Sequence, residues 1–306
     1  MKNVCENELH GICGQGSYQA IVEYLDGCTD GAEWLAKYEN LFKAGNYVFE
    51  VDDPDVQKIL WTYEDYLKYV LVNNKTTDEY KTDIVARFRG VFPEIDGFDE
   101  FEKAFQAFFT ERGLYANFGV TAPFPTLYLW ENQTKHEIDV ELPEASVQMN
   151  VYEMDGIITR GWYDYLTFGV IGAGGWVSDD GCYYFAEKYD VESEDFKISL
   201  LKHEGQHFYD LEQHPDMPSH ELEYRAKLVE LIYLQEQGVF RSFLANMSDD
   251  VRNPHGHANQ RIVAELSQLI FGEELVQEQE RWSAAYGQVA KLARQLLEAD
   301  SLARNG

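Results

Sequence analysis

The segment His203-Glu204-Gly205-Gln206-His207 concentrates residue types that do chemistry. In a helix, a four-residue step turns both imidazoles to one side, which makes them a ready pair of ligands for a divalent cation. Glu204 stands one residue on, where its carboxylate reaches a water held by that cation without itself being a ligand. It can then accept the water's proton as the oxygen attacks a carbonyl. Gly205 costs about 1 kcal/mol relative to Ala inside a helix, which points to something approaching the helix backbone closely at that turn. Six of the eight histidines, His203, His207, His214, His220, His255 and His257, fall within 55 residues, and such clustering favours a site.

A catalytic zinc takes three protein ligands and keeps one position open for water. His214 lies seven residues beyond His207, and Asp210 and Gln213 stand where a continuation of the metzincin kind requires Gly and His. The next helix offers Glu221 and Glu223, set about 200° apart around its axis, so only one of them easily faces the metal. The run Glu223-Tyr224-Arg225-Ala226 resembles the Glu-x-x-Ala stretch that supplies the third ligand in compact gluzincins, and the small Ala226 would let this helix pack closely on the first.

On these residues the chain resembles the zincin metallopeptidases of the gluzincin type over roughly residues 126–237. The resemblance implies a Zn2+ cofactor bound by His203, His207 and Glu223, with Glu204 as general base and acid, and hydrolysis of a peptide or protein substrate. It also implies an edge strand ahead of the metal-binding helix on which an extended substrate lies. Residues 174–185 match that placement, and Gly174 and Gly175, next to Trp176, would permit the approach. One departure is that many gluzincins carry an Asp four residues after the ligand Glu to orient a zinc-bound His, whereas Lys227 stands there. Asp210, one turn from His207, is the substitute expected from the sequence. For the oxyanion that develops on the attacked carbonyl, His255 and His257 are the expected donors, on a loop ahead of a helix beginning near Asn259, with Tyr224 and Tyr183 as alternatives. His214 and His220 read as polar flanks of the turn between the two helices.

The elements that must position these groups follow from periodicity. Apolar residues at three- and four-residue steps predict helices over 17–44, 54–72, 77–88 and 98–112, with Phe98, Phe101, Phe105 and Phe108 as a core stripe. Asp52-Asp53-Pro54 reads as a helix start and Gly14-Gln15-Gly16 as a turn. From Thr126 the period becomes two, predicting three strands around Leu127, Val140 and Met149 joined at Asn132 and Pro143. The run Gly172-Ala173-Gly174-Gly175-Trp176 introduces a further strand to Phe185, with a turn at Asp179-Asp180-Gly181 inside it. Helical periods return over 194–213, 219–237, 259–271 and 278–303.

Periodicity thus predicts an α+β architecture, and the resemblance implies a zincin-like one, with a small mixed sheet whose edge strand packs on the metal-binding helix. A helical N-terminal region, 1–114, would wall or shield the cleft. The catalytic domain would be 115–306, with the sheet at 126–187, active-site helices at 194–237 and C-terminal helices at 259–303.

Composition bounds the partners. With 306 residues and 45% hydrophobic content the chain can bury a sizeable core, and its net charge of −29 repels nucleic acid and anionic membrane surfaces. The acidic excess suits a basic substrate or serves solubility. The longest uncharged stretch, 113–130, contains Pro123 and Pro125 and does not make a membrane span. An N-terminus reading MKNVCENELHG lacks the apolar run of a secretory signal, so the expected compartment is the cytoplasm unless processing has occurred. Four cysteines form neither a disulfide framework nor a zinc-knuckle pattern, though a Cys5–Cys13 bridge is a possible pairing. Two competing functions share these residues: a noncatalytic interaction module whose histidine pair is packing, and a metal-dependent hydrolase of a non-peptide amide or ester.

Overall fold

Residues 2–42, 51–73, 75–172, 174–178, 180–234, 237–251 and 253–305 are described by the structure, a computed structural model. Helices α1 (Glu6–Cys13), α2 (Tyr18–Asp26), α3 (Gly31–Leu41), α4 (Pro54–Val72), α5 (Thr77–Phe88) and α6 (Phe98–Thr110) come first. Strands β1 (Tyr115–Thr121), β2 (Phe124–Glu141) and β3 (Ser146–Arg160), the short helix α7 (Gly161–Leu166), and strands β4 (Gly175–Ser178) and β5 (Gly181–Phe185) follow. A π-helical segment, Asp195–Lys202, leads into α8 (His203–Gln213), and then come α9 (Ser219–Tyr233), α10 (Gly238–Ala245), α11 (Pro254–Phe271), α12 (Gln279–Ala285) and α13 (Val289–Asn305). The fold is α+β, and the strand order is β1-β2-β3-β5-β4. No helix among the described residues is long and apolar enough to cross a membrane.

Contacts divide the chain into two units, Met1–Thr134 with Met154–Gly174 and Lys135–Glu153 with Gly175–Gly306. That division is not the 114/115 boundary expected from the sequence, because β1, the first part of β2 and the last part of β3 share the first unit with the N-terminal helices.

In the first unit, local signals start the helices where expected. Asp53 caps α4 by accepting from Asp55 and Val56, with Pro54 in the first turn. Thr76 and Glu79 form a reciprocal capping box on α5. The expected helix over 17–44 is instead two helices, because Ser17 caps α2, Gly27 ends it, and the chain folds back so tightly that a side chain on Gly31 would sit 1.9 Å from the Leu25 carbonyl oxygen. Lys43 and Ala44, the end of that expected helix, lie outside the described residues. The aromatic stripe of α6 is buried through Phe101, Phe105 and Phe109, a strict four-residue step, with Phe98 and Phe108 only partly covered. Phe105 is its hub, with ring centroids 5.3 Å from Phe88, 5.0 Å from Phe118 and 5.1 Å from Phe109. Strand β2 runs unbroken through Asn132, where a connection was expected. Glu131 and Asn132 are exposed strand residues whose polarity mimics a turn.

In the second unit, Val140, Leu142, Val147, Met149, Val151, Cys182 and Tyr184 form the apolar side of the strands, packed in one core with Tyr224, Leu228, Ile262, Leu266 and Leu297 of the later helices. The connection at Pro143 is as expected, closed by Leu142 N–H donating to Ala145 O at 2.8 Å. The strand expected up to Phe185 is two antiparallel strands in register Trp176 to Tyr183, with β4 outermost in the sheet. Ala173 and Asp179, which the sequence reading used in the glycine run and the turn, lie outside the described residues, as do Gln235 and Glu236 beyond the end of α9. The C-terminal helix is divided at Tyr286–Gln288 into α12 and α13. All four cysteines, Cys5, Cys13, Cys28 and Cys182, are free thiols.

Because Phe105 is enclosed on several sides by other rings, Phe105→Ala should destabilise the protein by about 3–5 kcal/mol in urea unfolding, whereas a loss under about 1 kcal/mol would mean that this stripe does not organise the core.

Candidate metal centre

Helix α8 carries the histidine pair and α9 the carboxylates. The pair sits at the junction where the wider π-helical turns give way to α8, the kind of local irregularity that often accompanies a functional site. The close neighbour implied by Gly205 is a strand, since a side chain there would meet Val140 Cγ1 at 3.0 Å and Leu142 Cδ2 at 3.6 Å. Helix α8 ends at Gln213, two residues ahead of Pro215, and α9 is buried continuously from Glu223 to Leu231.

The two imidazoles converge. His203 Nε2 and His207 Nε2 are 3.0 Å apart, and the Glu223 carboxylate lies 3.6 Å from the first and 3.4 Å from the second. Glu204 belongs to the same group, since single ligand atoms of His203, Glu204 and His207 all lie within 4.8 Å of one another. Ligand atoms at about 2.0–2.1 Å from a tetrahedral zinc are separated from each other by about 3.3 Å, and the three observed spacings bracket that length. The donor set, two neutral-capable imidazoles and one carboxylate, is one that zinc accepts.

What holds this arrangement is an outer hydrogen bond. His203 Nδ1 is 2.5 Å from Glu230 Oε1, so in the neutral ring, with Nδ1 donating to that carboxylate, the lone pair would be on Nε2, facing His207 and Glu223. Burial alone would pull the His203 pKa down, but pairing with Glu223 and Glu230 outweighs it and pushes it up to about 10. Burial likewise opposes charge on Glu223, yet His203, His207 and His255 hold its carboxyl well below the usual carboxylate range. Two polar atoms here are buried without a hydrogen bond, His207 Nδ1 and Glu223 Oε2. The latter is 2.7 Å from His255 Nδ1, close enough to pair as charges but not aligned to bond.

The geometry also sorts the other expected residues. Glu221 turns away from the imidazoles toward Arg261 at 2.9 Å and Arg304 at 2.5 Å, so Glu223 is the carboxylate brought to the pair. Asp210 does not orient His207: both its oxygens accept from Arg225 Nε at 2.9 Å, and Gln206 adds a third hydrogen bond. The carboxylate that does meet the outer ring nitrogen of one of the pair is that of Glu230, at His203 Nδ1. Lys227 points elsewhere, its ammonium 4.6 Å above the Phe243 ring. His255 and His257 are not on a loop, because Asn253 accepts from Gly256 N–H and starts α11 at Pro254. Of the two, His255 is largely exposed and reaches Glu223, while His257 packs edge-on against His220 at 5.4 Å with its Nδ1 buried.

Tyr224 is held by Glu265 at 2.5 Å and Tyr183 by Asp180 at 2.8 Å, so neither hydroxyl is directed at the imidazoles. Gly174 immediately precedes β4. Gly175 is small because the neighbouring strand requires it, since a side chain there would come within 2.1 Å of the Tyr183 carbonyl oxygen. Trp176 stacks on Tyr183 across the same strand pair, with centroids 5.4 Å apart and planes at 8°.

Sequence reasoning missed Glu230. The signal was present, since Glu230 follows Glu223 by seven residues, two turns along one helix face. No family model matches the chain, and no curated protein or solved structure matches it.

If Glu230 orients His203, Glu230→Gln should weaken zinc binding by about 10- to 100-fold in a chelator-competition titration. Unchanged affinity would remove Glu230 from the centre.

Proposed function

We propose that this chain is a zinc-dependent peptidase with a zincin-like catalytic unit, its metal ligands being His203, His207 and Glu223. The observation that carries the reading is the convergence of two Nε2 atoms and one buried carboxylate, at 3.0, 3.4 and 3.6 Å, from two adjacent helices. Glu223 Oε2, buried without a hydrogen bond, also favours a ligand site over packing alone, because such a group costs about 1–3 kcal/mol when nothing partners it.

Zinc bound there would supply Lewis acidity, polarising a substrate carbonyl and lowering the pKa of a water molecule. The remaining work belongs to the chain. Glu204, half-buried beside the imidazoles, takes the proton of the attacking water and returns it to the departing amine. Glu230 keeps His203 in the tautomer whose Nε2 lone pair faces inward. His255, exposed at the N-terminal turn of α11 and next to Glu223, is the side chain best disposed to donate to the developing oxyanion.

Strand β4 stands at one end of the strand order, a position that suits main-chain pairing with an extended peptide. A net charge of −29 favours basic peptides by long-range attraction, and the attraction weakens as salt rises.

Glu204→Gln should lower cleavage of a broad peptide library by about 10²- to 10⁴-fold while zinc content stays at the wild-type level. Chelation should abolish wild-type cleavage and added zinc restore it. Full cleavage by the variant would take Glu204 out of the mechanism, and cleavage that survives chelation would reject the metal.

A further inference from the structure

The three ligands sit on two helices, so the spacing that suits a metal depends on how α8 and α9 are held against each other. A tolerance of about 0.5 Å is what such a constellation allows. The turn of α9 that carries Glu223 also carries Arg225, two residues on, and its side chain is only 3% exposed. All three of its guanidinium nitrogens donate. Nε bridges both oxygens of Asp210 on α8 at 2.9 Å, three residues beyond His207. Nη1 reaches Asp300 at 2.8 Å and Ser301 at 3.0 Å, both on α13, and Nη2 reaches Glu144 in the β2–β3 turn at 3.3 Å.

The acceptors are themselves fixed. Ser301 donates to Glu144 at 2.7 Å, and Arg304 pairs with Asp300 at 2.6 Å while also holding Glu221 at the start of α9. The planar fork of an Arg can satisfy this set of acceptors at once, and the point charge of a Lys cannot.

We infer that Arg225 is a positioning residue of the metal centre, which through Asp210 and Asp300 sets the registration of α8 on α9 and so makes α13 part of the zinc site. The inference rests on the zinc reading of that site. A clamp that served only the fold would, when broken, lower the stability of the metal-free protein and leave the zinc affinity of the folded fraction intact. A clamp that positions ligands changes that affinity and the ligand field of the bound metal.

The test uses the full chain as wild type, Arg225→Lys and Asp300→Asn, each checked for folding by circular dichroism. Zinc affinity is read by chelator competition, and the ligand field by the visible spectrum of the Co2+ form. Arg225→Lys should bind zinc about 10- to 100-fold more weakly, the range typical for losing an outer partner, and its Co2+ spectrum should shift. Asp300→Asn, which keeps the guanidinium and removes one acceptor charge, should show a smaller loss in the same direction, and it decides the matter if Arg225→Lys does not fold. Wild-type affinity and an unshifted Co2+ spectrum in a folded variant would overturn the inference. Failure of the wild-type protein itself to bind zinc would overturn the proposed function, and this inference with it.

Discussion

A carboxylate as enclosed as that of Glu223 is tolerated only when positive charge or donors surround it, because an unpaired buried charge costs far more than one side-chain contact returns. Its neighbours are His203, His207 and His255, brought in from α8 and from the first turn of α11. In the metal-free protein, imidazole protons supply the compensation, which is why the His203 pKa is pushed up and that of Glu223 down. A divalent cation between the same atoms would supply it more completely. The arrangement of the site thus follows from one electrostatic requirement, and the elements around it serve to keep those groups together.

That requirement explains features that are otherwise unrelated. Gly205 lets Val140 and Leu142 approach the backbone of α8 at the turn that carries the histidine pair. Glu230 extends the chain of charge outward from His203, two turns along α9 from Glu223. Arg225 and its acceptors close the other side of the helix pair with a buried ionic network. Such a network is weak evidence for stability, since desolvation offsets much of the attraction.

Much of this was legible in the sequence, and for physical reasons. A four-residue step in a helix has one outcome, so the convergence of His203 and His207 could be read directly, and so could the starts of α4 and α5, where capping residues act on their immediate neighbours. The choice between Glu221 and Glu223 could be narrowed by helix rotation but depended on Arg261 and Arg304, which are remote in sequence and pull Glu221 away. Asp210 was misjudged because a carboxylate one turn from a ligand histidine is also well placed for a neighbouring helix, and Arg225 claims it. His255 and His257 looked like loop residues because Pro254 and Gly256 flank His255, yet Pro is favoured in a first helical turn and Asn253 supplies the cap. Asn132 was read as a connection because exposed strand residues and turn residues share a polar character. Remote partners therefore decided Glu221 and Asp210, whereas His255, His257 and Asn132 were decided by local residue types that serve two kinds of structure.

The central claim is the identity of the atoms that would surround the metal. Anomalous diffraction at the zinc edge, collected from crystals of the full chain grown with zinc, tests it most directly. The account predicts a single peak at about 2.0–2.2 Å from His203 Nε2, His207 Nε2 and a Glu223 oxygen, with His203 Nδ1 still on Glu230. No peak between the two imidazoles, or a peak with Glu223 outside the coordination sphere, would contradict it.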